Sequence, residues 1–201
     1  RSYRLGRLAL QLGLDIPCKD AGIVNICSAL FLIWQKEPLR TDIILFTPEH
    51  LNDGLGNGNF ASAVLQGSFA FFARFWAGEH LTSLELSMRE IRDRLSELGQ
   101  KILLLRFQPL IQLILNFQKE SEENFEDLLI LTGDSMDETE YRENISDASP
   151  PALRMWLWFC KMILAYSLGF NRTAELLLQK IHKGRYFMLE NTVLCLPVIF
   201  Y

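Results

Sequence analysis

The sequence predicts an all-α protein, built as an irregular array of antiparallel helix pairs with about eight or nine helices. Two observations predict this class. Apolar residues recur at intervals of three and four along most of the chain, which is the spacing of one helix face, and long alternating patterns typical of strands are hard to find. Glycines stand between the apolar segments, where they can end one helix and open the turn to the next.

Residues before the acidic region divide into a series of predicted helices. The helix capped by Asn59 is apolar around nearly its whole circumference, so we expect it to be buried. The next helix is amphipathic and should lie at the surface, with an i,i+4 pair such as Glu85 and Arg89 contributing about 0.3 kcal/mol. Pro48 should kink a helix or mark its start, and Pro109 should interrupt another. The predicted helices cover residues 3–12, 20–37, 41–55, 60–77, 82–98 and 101–117.

Helical pattern returns at the end of the chain. Ser149 is a plausible N-cap, and the two prolines that follow it suit the first turn of a helix. Gly169 and Gly184 should end the first and the second helix of this region, and the second should begin at Asn171 or Thr173. These helices are predicted over residues 153–168, 174–182 and 186–201.

An acidic segment over residues 119–149 separates the two helical regions. It holds eleven acidic residues against two basic ones, a net charge of −9, which leaves +5 for the rest of a chain whose net charge is −4. Only residues 125–131 are apolar, and we expect them to dock as a short helix. The remainder should be a mobile inserted loop, with mobility concentrated in residues 132–148, because mutually repelling acids bury too little apolar surface to offset the cost of ordering.

The succession of predicted helices and turns contains a weak internal repeat. Gly58-Asn59-Phe60-Ala61 and Gly169-Phe170-Asn171-Arg172-Thr173-Ala174 both place a glycine-led turn before an alanine-bearing helix. Glycines also close segments of roughly 40 residues, a period typical of helical repeats. We therefore predict an irregular tetratricopeptide-like array, with a single non-repeat helical bundle as the alternative.

Composition excludes several classes of protein. With 201 residues, 49% of them hydrophobic and 22% charged, the chain is neither disordered nor dependent on disulfides. Its net charge of −4 argues against nucleic-acid binding, which needs a basic face. Charge-free residues 54–73 contain too many glycines and amides to span a bilayer. We expect a cytoplasmic protein with no membrane span, whose widely spaced cysteines are buried free thiols: Cys18, Cys27, Cys160 and Cys195.

No pattern that carries catalysis or ligand binding stands out. Gly99-Gln100-Lys101 lacks the upstream glycine of a phosphate-binding loop, and the glycines of residues 54–58 follow a helix rather than a strand. His80, in a turn beside Glu79, should cap or face solvent rather than transfer protons. The acidic segment lacks the ligand ladder of a calcium loop. We therefore predict no catalytic, cofactor-binding or metal-binding residue.

Four short motifs form an ordered series: Tyr3-x-x-Gly6-Arg7-Leu8-Ala9-Leu10, Trp34-Gln35-Lys36-Glu37-Pro38-Leu39-Arg40, Gly54-Leu55-x-x-Gly58-Asn59-Phe60-Ala61-Ser62-Ala63, and Gly78-Glu79-His80-Leu81. This series resembles the tetratricopeptide-like helical region of large multidomain signalling proteins. Those proteins carry a protein-kinase-like domain and an AAA/STAND-type predicted ATPase before the helical region, and GAF or histidine-kinase domains after it. Asn59 replaces the family's usual Asp, and it caps a helix equally well.

The resemblance implies a non-catalytic scaffold or linker within a signal-transduction ATPase or kinase. Such a segment would contact flanking domains or partner proteins, and ATP would bind only in the flanking domains. We expect a helical-repeat segment over 1–118, the acidic mobile insertion over 119–149, and a continuation of the array over 150–201 that is cut within a longer protein. The rival hypothesis is a stand-alone all-α enzyme or ligand-binding domain that uses a pocket between buried helices.

Overall fold

The computed structural model describes residues 2–15, 36–37, 60–119, 125–145 and 151–184. Over these ranges the secondary structure is helical and contains no strand, which confirms the all-α class. The helices are α1 (Ser2–Asp15), α2 (Phe60–Trp76), α3 (Leu81–Glu97), α4 (Lys101–Gln118), α5 (Phe125–Leu128), α6 (Glu138–Asn144), α7 (Pro151–Ser167) and α8 (Asn171–Gly184). The helices predicted over 41–55 and 186–201, and nearly all of the one predicted over 20–37, lie outside the described residues.

Backbone contacts divide the chain into two compact units, Arg1–Arg94 and Leu95–Tyr201. In the first unit, helix α2 is buried along Gly67–Ala73, as its apolar circumference predicts. Helix α3 buries a stripe that includes Leu84 and Met88. The half-buried side chains of Glu85 and Arg89 form the predicted pair at 2.7 Å. Helix α1 continues through Gly13, because a glycine inside a helix costs only about 1 kcal/mol and does not end it.

Three connections between helices share one backbone geometry. Gly78, Gly99 and Gly169 adopt positive φ angles of 80°, 67° and 83°. At each turn the glycine amide donates to the carbonyl three residues earlier, and the next amide donates to the carbonyl five residues earlier. These paired bonds satisfy carbonyls that the helix end leaves without partners. The predicted role of glycine at these helix ends is therefore confirmed.

In the second unit, helix α7 packs against both α4 and α8. Helix α7 is almost continuously apolar, and Trp156 and Phe159 on it are buried. Helix α8 packs one stripe, Ala174, Leu177 and Ile181, into this core and leaves its charged face exposed. Burial of a Leu or Ile side chain contributes roughly 1.5–3 kcal/mol, so the hydrophobic effect provides most of the stability of this hairpin.

Helix α4 is continuous through Pro109, which differs from the predicted interruption. Proline has no amide hydrogen, so the carbonyl of Leu105, one turn earlier, loses its normal donor. In the structure the hydroxyl of Tyr141 donates to that carbonyl at 2.8 Å. A side chain from another part of the chain thus replaces the missing backbone hydrogen bond, which no local sequence pattern could show.

Residues 125–145, which we call the strap, contain α5 and α6 and contact α4 and α7. A short helix in the apolar part of the acidic segment is confirmed. Residues 132–137 have no regular secondary structure, as expected of a loop. The structure differs from the expectation at α6, which Asp137 caps by accepting from the amides of Thr139 and Glu140. Residues 146–148 lie outside the described ranges. Mobility of this segment stays a prediction, and the contacts described below favour the opposite outcome.

Candidate functional site

The polar centre of the second unit is Glu138, at the start of α6. Its side chain is only 7% exposed. The ammonium of Lys161, on α7, lies 2.7 Å from both carboxylate oxygens, and the guanidinium of Arg142 donates at 2.5 Å and 3.1 Å. The backbone amide of Leu131 donates to the same carboxylate at 2.9 Å. One acidic side chain therefore joins α7, α6 and the loop between α5 and α6.

The environment of Glu138 fixes its charge. Burial by itself would raise the pKa of this carboxyl, but the hydrogen bonds from Lys161, the Leu131 amide and Arg142 together outweigh burial. The net pKa of Glu138 lies below its ordinary value of 4.5. A carboxylate that is ionised and surrounded by three donors is suited to hold elements together, and it is a poor proton acceptor at neutral pH.

A second polar cluster joins the strap to α4 through two buried amides, one turn apart. Gln112 donates to Asn116 at 2.8 Å, and Asn116 donates at 2.8 Å to the carbonyls of Leu128 and Ile130. The amide of Ser135 donates back to Gln112 at 3.1 Å. Buried amides are costly unless they are hydrogen-bonded, so this ladder requires the strap to be in place.

The third cluster surrounds a buried arginine. The guanidinium of Arg106 lies 4.8 Å from the centre of the Trp156 ring, and its Nε and Nη2 atoms are buried without a hydrogen-bond partner among the described residues. Burial lowers the pKa of Arg106 to about 10. Nearby, burial raises the pKa of Tyr141 and of Cys160 well above their ordinary values, so both stay protonated. A protonated buried thiol is a weak nucleophile.

A surface depression of about 490 Å³ lies beside Glu138. Both charge signs line it together with an apolar residue: Ile130, Glu138, Thr139, Arg142 and Glu143. Ile130 is 47% exposed there. The depression therefore offers both apolar and charged contacts at the surface.

The first unit has its own polar network at the turn between α2 and α3. Arg74 forms a bidentate ion pair with Glu79, and Ser83 donates to the same carboxylate at 3.0 Å. The Arg74 hydrogen bond is the main reason that the pKa of Glu79 lies below its ordinary value. Near the first helix, Tyr3 and Arg7 both contact Glu37. These contacts fix a turn and a helix end.

Residues that the sequence analysis singled out have local roles. His80 accepts a hydrogen bond from the amide of Thr82 at 3.3 Å, consistent with the predicted cap. Cys160 is a buried free thiol, as expected. The glycines of residues 54–58 lie outside the described ranges. Across the part of the chain that the structure describes, no three His, Cys, Asp or Glu side chains are grouped to hold a metal ion.

Sequence reasoning missed the residues that form the polar clusters. Some signals were present: Lys161 is the one charge in the apolar centre of α7, and Gln112 and Asn116 stand four residues apart in an apolar run. A lone polar residue on an apolar helix face indicates a buried partner elsewhere. The partner itself, Glu138, could not be recognised, because it is one acid among eleven in its segment.

None of the helices in the described ranges is both long enough and apolar enough to cross a membrane. No protein-family model matches the chain. Searches of curated proteins and of solved structures likewise found no significant match.

Proposed function

We propose that this chain is a non-catalytic helical scaffold segment that makes protein contacts within a larger signalling protein. The proposal rests on one observation: the buried polar side chains form hydrogen bonds that hold the fold together. Glu138, Gln112 and Asn116 all bond to groups that hold the strap on the helices. Their hydrogen-bonding capacity serves the assembly of the fold, which is what a scaffold needs.

Two further features support the proposal. The three glycine turns repeat one helix-to-helix connection, a device suited to an array of short helical pairs. The motif series that begins at Tyr3 resembles the helical region of signalling ATPases and kinases. From that resemblance we propose cytoplasmic location, a tetratricopeptide-like array, and flanking domains that bind ATP.

Reading the open reading frame on both sides of the chain tests the parent architecture. A kinase-like, ATPase or sensor domain is expected next to it. A frame that codes for none of these would contradict the scaffold in a signalling protein, although the fold described above would stand.

Chemical cross-linking of the full-length protein tests the contacts. We expect cross-links from the depression beside Glu138 to another domain or partner, and Glu143→Arg should reduce them several-fold by reversing one charge of the lining. Glu90→Arg, on the exposed face of α3, is the matched control and should leave them unchanged. If the parent and the Glu143→Arg protein gave the same yield of cross-links, this surface would make no such contact.

A small-ligand-binding domain is the second candidate, favoured by the volume of the depression, about 490 Å³. Pockets for small molecules span about 300–1,000 Å³. Thermal-shift screening of the purified chain against metabolites and nucleotides separates the two candidates. A ligand whose stabilising effect disappears in Thr139→Ala protein would favour binding over the scaffold.

A further inference from the structure

We propose that the strap is a conformational latch on a proline hinge in helix α4. Docked, it supplies the hydrogen bond that Pro109 removes and keeps the helix continuous; released, it leaves the helix free to bend at that point. The inference concerns the fold's own mechanics and does not depend on the proposed scaffold function.

Side chains of the strap donate hydrogen bonds to α4 beside Pro109. The carbonyl of Leu105 lacks its usual donor one turn later, because residue 109 has no amide hydrogen. Tyr141, 2% exposed, donates its hydroxyl to that carbonyl at 2.8 Å. Just before the proline, the carbonyl of Gln108 also accepts from the hydroxyl of Ser135, at 3.3 Å. Two carbonyls of the turn that precedes Pro109 therefore bond to side chains of the strap.

The strap is anchored to the helices at two places. Glu138 fixes the start of α6 to Lys161 on α7, which places Tyr141, one turn later, against α4. The ladder of Gln112 and Asn116 holds the other end of the strap on the far side of the proline. The strap thus crosses the hinge and is attached on both sides of it.

Release of the strap must therefore change α4. A carbonyl without a donor inside a helix recruits water or opens the helix, and prolines are the usual site of sharp helix kinks. By linkage, anything that binds the released strap favours a bent α4, and anything that bends α4 weakens the strap. This coupling is the consequence that experiment can address.

Distance measurement between spin labels at positions 101 and 118 tests the hinge directly. Both side chains are exposed and lie at the two ends of α4, about 25 Å apart at 1.5 Å per residue. Labels should be attached through a ketone-bearing amino acid, because the chain has four cysteines. The parent should give one narrow distance distribution, and Tyr141→Phe should broaden it toward shorter distances.

Pro109→Ala supplies the matched control, since an alanine amide can donate to Leu105 itself. The double variant Tyr141→Phe/Pro109→Ala should return to the narrow distribution, which a merely structural role of Tyr141 would not predict. In urea, Tyr141→Phe should raise the unfolding equilibrium constant about 10-fold in the parent and less than about 3-fold beside Pro109→Ala. Equal effects in both backgrounds, or an unchanged distribution in Tyr141→Phe, would overturn the latch.

Hydrogen exchange of the unmodified protein gives an independent reading if the variant is too unstable to label. The amides of Leu110 and Ile111 in α4 and the amide of Tyr141 in the strap should lose protection together in mild urea. Separate opening, with the strap exchanging while α4 stays fully protected, would also overturn the proposal.

Discussion

Glu138 stabilises the second unit by pairing with Lys161, and its loss would leave that cation without this partner. The side chain of Lys161 is only 15% exposed, and its ammonium bonds to both oxygens of Glu138. Removal of one member of a buried ion pair destabilises a protein by far more than the intact pair stabilises it, because the remaining charge stays buried.

We therefore expect Glu138→Gln to lower the free energy of unfolding by roughly 2–4 kcal/mol near neutral pH. The pKa of Glu138 is lowered in the folded state, so its stabilising effect is complete above the ordinary value of 4.5 and is lost as the pH falls from there through the folded-state pKa. Urea unfolding measured across this range should show that the difference in the free energy of unfolding between the parent and Glu138→Gln becomes smaller below about pH 4.5.

Arg142→Met is a suitable control, because this partner of Glu138 is 58% exposed and should cost less than about 1 kcal/mol. If the difference in the free energy of unfolding between parent and Glu138→Gln stayed constant through the acid range, the carboxylate would not be held in its ionised form as described.

Arg106 offers the opposite case, a buried cation that the fold accommodates poorly. Two of its nitrogens lack hydrogen-bond partners among the described residues, and the contact with Trp156 offsets only part of the lost hydration. Arg106→Met keeps the apolar stem and removes the charge, so we expect thermal unfolding to show unchanged stability or a gain of about 1 kcal/mol.

Arg172→Met, on an exposed position of α8, controls for a general effect of removing positive charge and should change stability by less than about 0.5 kcal/mol. A large loss of stability in Arg106→Met would mean that the guanidinium has a partner of its own.

At the scale of elements, the strap shows where composition misleads. Eleven acids over residues 119–149 predict repulsion and irregular structure, yet the part that the structure describes contains a capped helix. The reason is the pairing of one acid with a largely buried lysine, together with two amides that bond the strap. Such long-range polar partners leave no periodic trace in a sequence.

Gly133 lies close to the Gln112 side chain of α4. A Cβ atom on this residue would lie 2.7 Å from Nε2 of Gln112, an atom that is itself bonded to Asn116. Gly133→Ala should therefore destabilise the protein by about 1–2 kcal/mol in urea unfolding, since the amide ladder must shift. Asp134→Ala, at an exposed neighbouring position, should have almost no effect. If both variants behaved alike, the close contact would be disproved.

Glycine is required at position 169 because of the backbone conformation there, and not because neighbouring atoms leave no room for a side chain. Nothing lies within 4 Å of a Cβ placed there, and its φ is +83°. Gly169→Ala should cost about 1 kcal/mol, and Gly169→Asn less, because asparagine tolerates the left-handed conformation better. Thermal unfolding of the two variants measures this difference. Equal stability of the alanine variant and the parent would refute the turn geometry.

For the whole molecule, the sequence predicted what depends on local rules. Helical periodicity placed most of α2, α3, α4, α7 and α8, and glycine placed the turns between paired helices. It could not show the continuity of α4 through Pro109, because Tyr141, the donor that replaces the lost bond, lies 36 residues away. The polar clusters were missed for the same reason, since each joins residues from distant segments.

The acidic strap is a folded part of the second unit, held by buried polar contacts. Native-state hydrogen exchange measures whether its amides are protected. The amides of Leu131, Ser135 and Tyr141, which donate within the strap or to α4, should be protected to a degree comparable with the core amides of α7. Exchange of these three amides at the rate of an unstructured chain, while α7 remains protected, would contradict the account and support a mobile loop.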